Sequence, residues 1–231
     1  MASIPVITVD GPSGSGKGTI SQRLAQTLKW HFLDSGAIYR ALALYLQKEG
    51  IAPTDESNVV KLAENLPLRF GSDDGDYEHV WLAGEEVSHD LRLETTGLMA
   101  SSIAKDPAVR KALLSRQRDF QQAPGLVADG RDMGTVIFER APLKFFLEAT
   151  SEERAKRRYK QLQAQGVDVS LDNLLSEIND RDRQDRNRAV SPLIPAEDAI
   201  LIDTTLLDIE AVYQGVMAVI QSRHPEWIEK R

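Results

Sequence analysis

Two features of the sequence predict an α/β fold built around a parallel sheet. Short β-branched and aliphatic runs alternate with helix-length amphipathic stretches, the pattern of strands joined by crossover helices. The first run also feeds through a Gly-rich turn directly into a helical pattern, giving the order strand, phosphate-type loop, helix. Two stretches break this rhythm, one reading as a small antiparallel insert and the other as a polar helical excursion.

Residues 4–10 (Ile-Pro-Val-Ile-Thr-Val-Asp) form the first predicted strand, and Ile20, Leu24 and Leu28 give the next helix one apolar face. A short run at 31–33 is the second strand. The helix after it opens at Asp34, with Ser35 as the expected N-cap and Ile38, Leu42 and Tyr45 as its apolar stripe. Between 67 and 87 the pattern changes to two short segments, 68–70 and 77–82. Joined by Ser72-Asp-Asp-Gly-Asp76 and followed by Ala83-Gly84, they predict the antiparallel insert with its hairpin turns. Amphipathic residues 107–121 lead to strands at 126–128 and 143–147. From 150 to 188 nearly every residue is charged or polar, and Thr150 with Glu153 has the capping-box spacing of a helix start. Two readings of that excursion stay open, a mobile lid and a solvated helical hairpin. A strand at 199–202 and a helix over 208–221 complete the order.

Composition narrows the function classes. The 231 residues include 28 Lys and Arg against 35 Asp and Glu, a formal charge of −7, and 42% are hydrophobic. That length suffices for a sizeable core, and 15 Gly with 10 Pro is ordinary globular usage. An acidic balance excludes a general nucleic-acid coat, because phosphate backbones are held by clustered Lys and Arg. Any anionic ligand therefore has to meet a local basic site. With 0 Cys there are no disulfides, thiolate metal sites or cysteine nucleophiles, and the 4 His lack metal-type spacing. No run approaches the roughly 20 apolar residues of a membrane span, and the N-terminus lacks a signal-peptide pattern. The expectation is a soluble cytoplasmic protein with neither membrane nor nucleic acid as partner.

Gly11, Pro12, Ser13, Gly14, Ser15, Gly16, Lys17, Gly18 and Thr19 place glycine first and sixth and lysine seventh, between a strand and a helix. Glycines let successive backbone N–H groups turn toward phosphate oxygens, the helix N-terminus adds a favourable dipole, and Lys17 reaches the terminal phosphates. The blander reading, a Gly-rich turn with a surface lysine, gives no reason for the flanking strand and helix. The hydroxyl that usually follows the lysine is displaced by one place to Thr19, which leaves magnesium ligation by Thr19 open. No Asn-Lys-x-Asp sequence is present, which weighs against a GTPase switch.

Asp129-Gly-Arg-Asp-Met-Gly134 follows the 126–128 run, so Asp129, Arg131 and Asp132 are expected just past a strand's carboxyl end, where open α/β sheets bind ligands. Asp129 there suits holding magnesium through water; a charged turn with internal salt bridges is the alternative. Arg40 falls about 200° round the helix from Ile38 and so off the core face. It is either solvated or placed to grip a phosphate. Residues 180–188 carry 7 charges in 9 positions, with Arg181, Asp185 and Arg188 at helical spacing on one face. A solvated salt-bridged helix and a basic wall around transferred phosphates both fit. The same two readings apply to Arg154, Arg157 and Arg158, in the first turns after the capping box.

Together these motifs resemble the bacterial cytidylate kinase family. The resemblance rests on residues 11–19, on Leu33-Asp-Ser-Gly-Ala-Ile-Tyr-Arg40, on Val127-Ala-Asp-Gly-Arg-Asp-Met-Gly-Thr135 and on the stretch from Arg181 to Pro192, and it runs nearly end to end. It implies a P-loop nucleoside monophosphate kinase core over 1–35, 105–150 and 189–231, with a five-stranded parallel sheet flanked by helices. Residues 36–104 become an acceptor-binding domain with a small antiparallel sheet, and 151–188 a short helical lid. The implied activity is transfer of the γ-phosphoryl group of ATP to CMP or dCMP with Mg2+, by a monomer. Position by position, the resemblance assigns residues 11–19 to ATP and Ser35, Arg40 and Arg131 to the acceptor phosphate. Ser101, Arg110, Asp132 and Arg188 fall around the cytosine, and Arg181 with Asp185 near the sugar. Lys17, Arg131, Arg181, Arg154, Arg157 and Arg158 are then the catalytic cations, and Thr19 and Asp129 the metal candidates. The competing readings are a related kinase for UMP or another small acceptor, and a P-loop ATP-binding switch.

Overall fold

The computed structural model describes residues 4–71, 79–164 and 166–228. Along the chain, β1 (Val6–Asp10) and α1 (Lys17–Leu28) lead to β2 (His31–Asp34), α2 (Ser35–Lys48) and α3 (Glu56–Glu64). Three short strands follow, β3 (Leu68–Phe70), β4 (Val80–Leu82) and β5 (Glu85–Glu86), then α4 (Ser88–Arg92), α5 (Glu94–Ile103) and α6 (Pro107–Arg118). The chain re-enters the main sheet through β6 (Leu126–Gly130) and β7 (Leu143–Glu148), leaves it for α7 (Ser151–Ala164) and α8 (Leu171–Arg186), and ends with β8 (Ile200–Asp203) and α9 (Ile209–Arg223).

The main sheet has five parallel strands in the order β2-β6-β1-β7-β8, and β3-β4-β5 form a separate antiparallel sheet. This is the predicted α/β architecture. β1 and β6 are buried at every residue, as central strands covered on both faces must be. On one face, Ile20 and Leu24 of α1 and Val212, Val216 and Ile220 of α9 pack on Ile7, Val9, Val127, Phe145 and Leu147. On the other, Ile38, Leu42 and Leu46 of α2 and Leu113 of α6 pack on Val6, Leu126 and Ala128. That second cluster continues into Leu68, Val80 and Leu82, so the small sheet shares the core of the large one. Each fully buried aliphatic side chain of this kind contributes about 1.5–3 kcal/mol.

Aromatic contacts close the far side. Trp30 lies 4.9 Å from Trp227, His224 stacks on Trp227 at 3.8 Å, and a Cβ at Gly125 would fall 2.3 Å from the Trp30 ring. Trp81 sits apart in the small sheet, with the Arg69 guanidinium 5.3 Å from its ring.

Several local expectations change. β6 runs through Asp129 to Gly130 because it pairs with β1 and β2 at once, Asp10 opposite Gly130 and Asp34 opposite Asp129. Asp129 is therefore inside the strand, and only Arg131 and Asp132 lie beyond it. Asp34, not Ser35, caps α2, accepting from the Ala37 N–H at 3.0 Å, while Ser35 is already helical. The buried face of α2 is wider than the predicted stripe and includes Tyr39, Ala41, Ala43 and Leu46. The turn expected at 72–76 lies outside the described residues, but Ala83 and Gly84, both at positive φ, make the second hairpin turn. The capping box is half formed. Thr150 Oγ1 accepts from the Glu153 N–H at 3.3 Å, whereas the Thr150 N–H donates to Thr205 and the Glu153 carboxylate turns to Arg157.

Candidate active site

The loop from Gly11 to Gly16 leaves β1 at the carboxyl edge of the sheet and opens α1. Gly11 has φ 151°, and a Cβ there would fall 2.2 Å from the Leu147 carbonyl oxygen, so only glycine lets the chain turn this close to β7. Gly16 occupies the N-cap of α1 without a capping side chain, and no acidic residue stands in the first turn. The positive end of the helix is thus left to a ligand.

Lys17 lies across from Asp129, Nζ to Oδ1 3.7 Å. Burial lowers the lysine from its usual range, and the neighbouring Arg131 adds to that; Asp129 and Asp34 pull the other way. Burial also pushes Asp129 up to about 6, against the pull of Lys17. Asp129 crowds the position after the lysine. A Cβ on Gly18 would meet Oδ2 at 3.2 Å. Thr19, carrying the displaced hydroxyl, is exposed.

Beyond β6 the charges interlock. Arg131 Nε donates to Asp185 Oδ2 at 2.9 Å, and Arg188 pairs with the other oxygen of the same carboxylate. Burial opposes the Arg131 charge, but Asp185 outweighs it and raises the guanidinium further. For Asp185, burial pushes upward, yet Arg131, Arg188 and Arg181 hold the carboxyl below its usual range. Arg188 lies past the end of α8, not on its face as the spacing implied, and still reaches Asp185. Arg110 and Asp132 form an ion pair in which both side chains are buried, and Arg110 also donates to the Ala104 carbonyl at the end of α5 at 3.2 Å. Ser101 is half-buried on α5, one turn before Ala104. Tyr39 lies beneath, with the Arg110 guanidinium 5.7 Å from its ring. Its hydroxyl is driven up to about 12 by burial, with Arg110 pulling the other way.

Other predicted residues are anchored elsewhere. Ser35 Oγ donates to Gln117 Oε1 at 2.7 Å in a buried contact with α6. Arg40 Nη1 donates to the Leu91 carbonyl at 2.7 Å, and the guanidinium packs where a Cβ on Gly97 would be. Of the arginines opening α7, Arg154 is 2% exposed, pairs with Asp182 of α8, and donates to the Ser13 and Ala149 carbonyls. A fully solvated Arg154 is thereby ruled out. Arg157 donates to Thr204, whose hydroxyl in turn donates to the Ser15 carbonyl at 3.1 Å, and Arg158 reaches Gln161. Arg181 is half-buried on α8, close enough to act on Lys17 and Asp185.

Lys17 at the loop and Arg131 beyond β6 lie close enough to act on each other, so two groups of cationic side chains meet at the carboxyl edge of the sheet. A sequence profile of the family described as cytidylate kinase matches residues 7–222. The chain belongs to the cytidylate kinase family. It is 55% identical over 221 residues to the cytidylate kinase of Stutzerimonas stutzeri, covering 95% of this chain and 96% of that one. The cytidylate kinase of Photobacterium profundum is 56% identical over 217 residues, covering 94% and 95%. That of an Enterobacter species is 55% identical over 216, covering 94% and 95%.

Within this cytidylate kinase fold, sequence reasoning missed Asp10, Asp34, Tyr39 and Gln117. Asp34 and Tyr39 stand inside a motif already singled out, and their neighbours drew the attention. Gln117, 1% exposed on α6, carries no sequence signal at all.

Proposed function

We propose that the chain transfers the γ-phosphoryl group of ATP to CMP or dCMP, with ATP held by residues 11–19 and the acceptor beyond β6. The observation that carries this reading is the convergence of Lys17, Arg131, Arg188 and the Arg110–Asp132 pair around the carboxyl ends of β1 and β6. An oxygen of the CMP phosphate, already anionic, attacks the γ-phosphorus in line. The new O–P bond forms as the bridging β–γ bond breaks, and ADP leaves with that electron pair. No general base is required. Lys17 and Arg131 neutralise the oxygens of the group in flight, which is the main contribution a protein makes to such a reaction. Ser35, Arg40 and Arg131 hold the acceptor phosphate in this reading, Ser101, Arg110, Asp132 and Arg188 surround the base, and Arg181 and Asp185 lie near the sugar.

Magnesium fits the donor set. Asp129 Oδ1 is buried without a hydrogen-bond partner, and a carboxylate is the ligand type this ion takes alongside substrate phosphates. Among the described residues no group of three or more acidic or histidine side chains could hold a metal ion, so most of its ligands would be phosphate oxygens and water. Asp129 would hold it, with Thr19 the second candidate, and the ion would supply charge neutralisation at the β- and γ-phosphates.

We take 36–104 as the acceptor-binding part and 151–188 as the lid, whose closure excludes water as a competing acceptor. No described helix is long and apolar enough to cross a membrane. A cytoplasmic monomer is part of the proposal. The test is ADP release with and without CMP, over a panel of nucleoside monophosphates. Turnover that depends on CMP is expected, and equal turnover without an acceptor would replace the kinase by an ATP-binding switch. Lys17→Ala should lower kcat by orders of magnitude with the fold intact.

A further inference from the structure

Asp10 closes β1, one residue before the phosphate loop, and is 4% exposed. It does not face the loop. Oδ1 accepts the Met133 N–H at 2.9 Å and Oδ2 accepts the Gly134 N–H at 2.8 Å, so the carboxylate grips two successive amides of the turn that leaves β6. That turn carries Arg131 and Asp132. Beyond the end of β6 at Gly130, the Asp10 fork works beside the ion pairs of Arg131 and Asp132 and beside the Asp132 carbonyl, which accepts from the Val136 and Ile137 N–H groups at 2.9 and 3.2 Å, to fix where these two residues point. The turn is also packed without slack. A Cβ on Gly134 would lie 2.9 Å from Thr8 Oγ1 and 3.3 Å from Asp10 Oδ2, and one on Gly130 would lie 2.7 Å from Met133 Cγ.

We infer that Asp10 is a positioning residue of the acceptor site: fixed on the strand that delivers the donor loop, it holds the turn bearing Arg131 and Asp132 in register with that loop. This rests on the acceptor assignment of the preceding subsection. With both oxygens occupied by amides, Asp10 touches neither nucleotide and acts through the turn. In its ionised form, which prevails above about pH 7, the Asp10 carboxylate suits the task because it accepts at both oxygens and donates at neither. Two charge-assisted bonds to consecutive N–H groups set both the position and the tilt of the peptide planes.

Asp10→Asn preserves shape but turns an NH2 donor toward one of the two N–H groups. The loss of one charge-assisted hydrogen bond and the mismatch left behind should raise KM for CMP by about tenfold or more. Discrimination between CMP and UMP, read as the ratio of kcat/KM values, should narrow by several-fold. The Kd of a non-hydrolysable ATP analogue should stay within about twofold, because the loop's own contacts are untouched. Gly134→Ala presses on the same fork from the turn side, with no change of charge, and should give the same signature. An unchanged KM for CMP and an unchanged CMP:UMP ratio would overturn the inference. So would equal weakening of ATP and CMP, or loss of fold in both variants, since the fork would then serve the fold and not the site. Wild-type protein without CMP-dependent turnover would instead sink the acceptor assignment itself.

Discussion

Arg110 and Asp132 form a buried ion pair, and in the proposed acceptor site they present to the base edge the two groups that cytosine and uracil distinguish. Cytosine offers an N4 donor beside the N3 acceptor. Uracil reverses both, setting O4 against the carboxylate and an N3 donor against the guanidinium, at about 1–3 kcal/mol for each unsatisfied buried group. Asp132→Ala should therefore shrink the CMP:UMP ratio of kcat/KM by on the order of tenfold or more, by harming CMP far more than UMP. If Asp132 only orients its neighbours, both substrates suffer alike and the ratio stays put. The same substitution strands a buried arginine and should cost about 3–5 kcal/mol of stability, readable in chemical denaturation. Burial also lifts Asp10 to about 7, against the pull of its two amides, where 3.8 is usual. The folded state then holds a proton that the unfolded state releases over this range, so the Asp10 contribution favours folding most below about pH 4 and is lost as pH rises through about 7. Denaturation of wild type and Asp10→Asn at pH 4.5 and 7.5 should show a smaller decline in the variant; equal declines would refute the shift. Arg110 and Asp132 were reached through the family resemblance, but Asp10 was not legible beforehand. Asp10 reads in sequence as a strand boundary, and its role appears only when Met133 and Gly134 are folded against it.

At the scale of elements, the excursion after β7 is two helices whose first turn is nailed down. Arg154 ties α7 to the loop carbonyl of Ser13, to Ala149 and to Asp182 of α8, and a Cβ on Gly14 would lie 3.2 Å from the Arg154 Cβ. In the lid reading, movement should therefore begin beyond Arg154. A bisubstrate analogue filling both sites should slow amide exchange across 166–180, while the first turn of α7 is protected with or without it. Unchanged exchange throughout 151–188 would make the segment a static hairpin. Strand and helix identities here were legible because periodicity is local: the Ile20, Leu24 and Leu28 stripe is buried as read. Boundaries and caps were less so. The extension of β6 through Asp129 depends on partners 95 or more residues away, and the choice of Asp34 over Ser35 as cap depends on Gln117 claiming the serine.

Over the whole molecule, an acidic chain brings Arg110, Arg131, Arg181 and Arg188 to the region where the sheet's carboxyl edge, the end of α8 and α6 meet. Net charge implied a local basic site for any anionic ligand, and the motifs named its candidates; the pairings that share out their charge are a property of the assembled fold. The three tryptophans divide along the same lines. Trp30 and Trp227 touch each other, with His224 stacked on the latter, and Trp81 stands in the β3-β4-β5 sheet. The protein thus carries two separate fluorophores, an indole pair in the main body and a lone indole in the insert. Replacing Trp30 and Trp227 by Phe leaves a single emitter reporting on the insert alone, and replacing Trp81 leaves one reporting on the body. Emission from the two variants during unfolding would tell whether the shared core makes the parts melt as one.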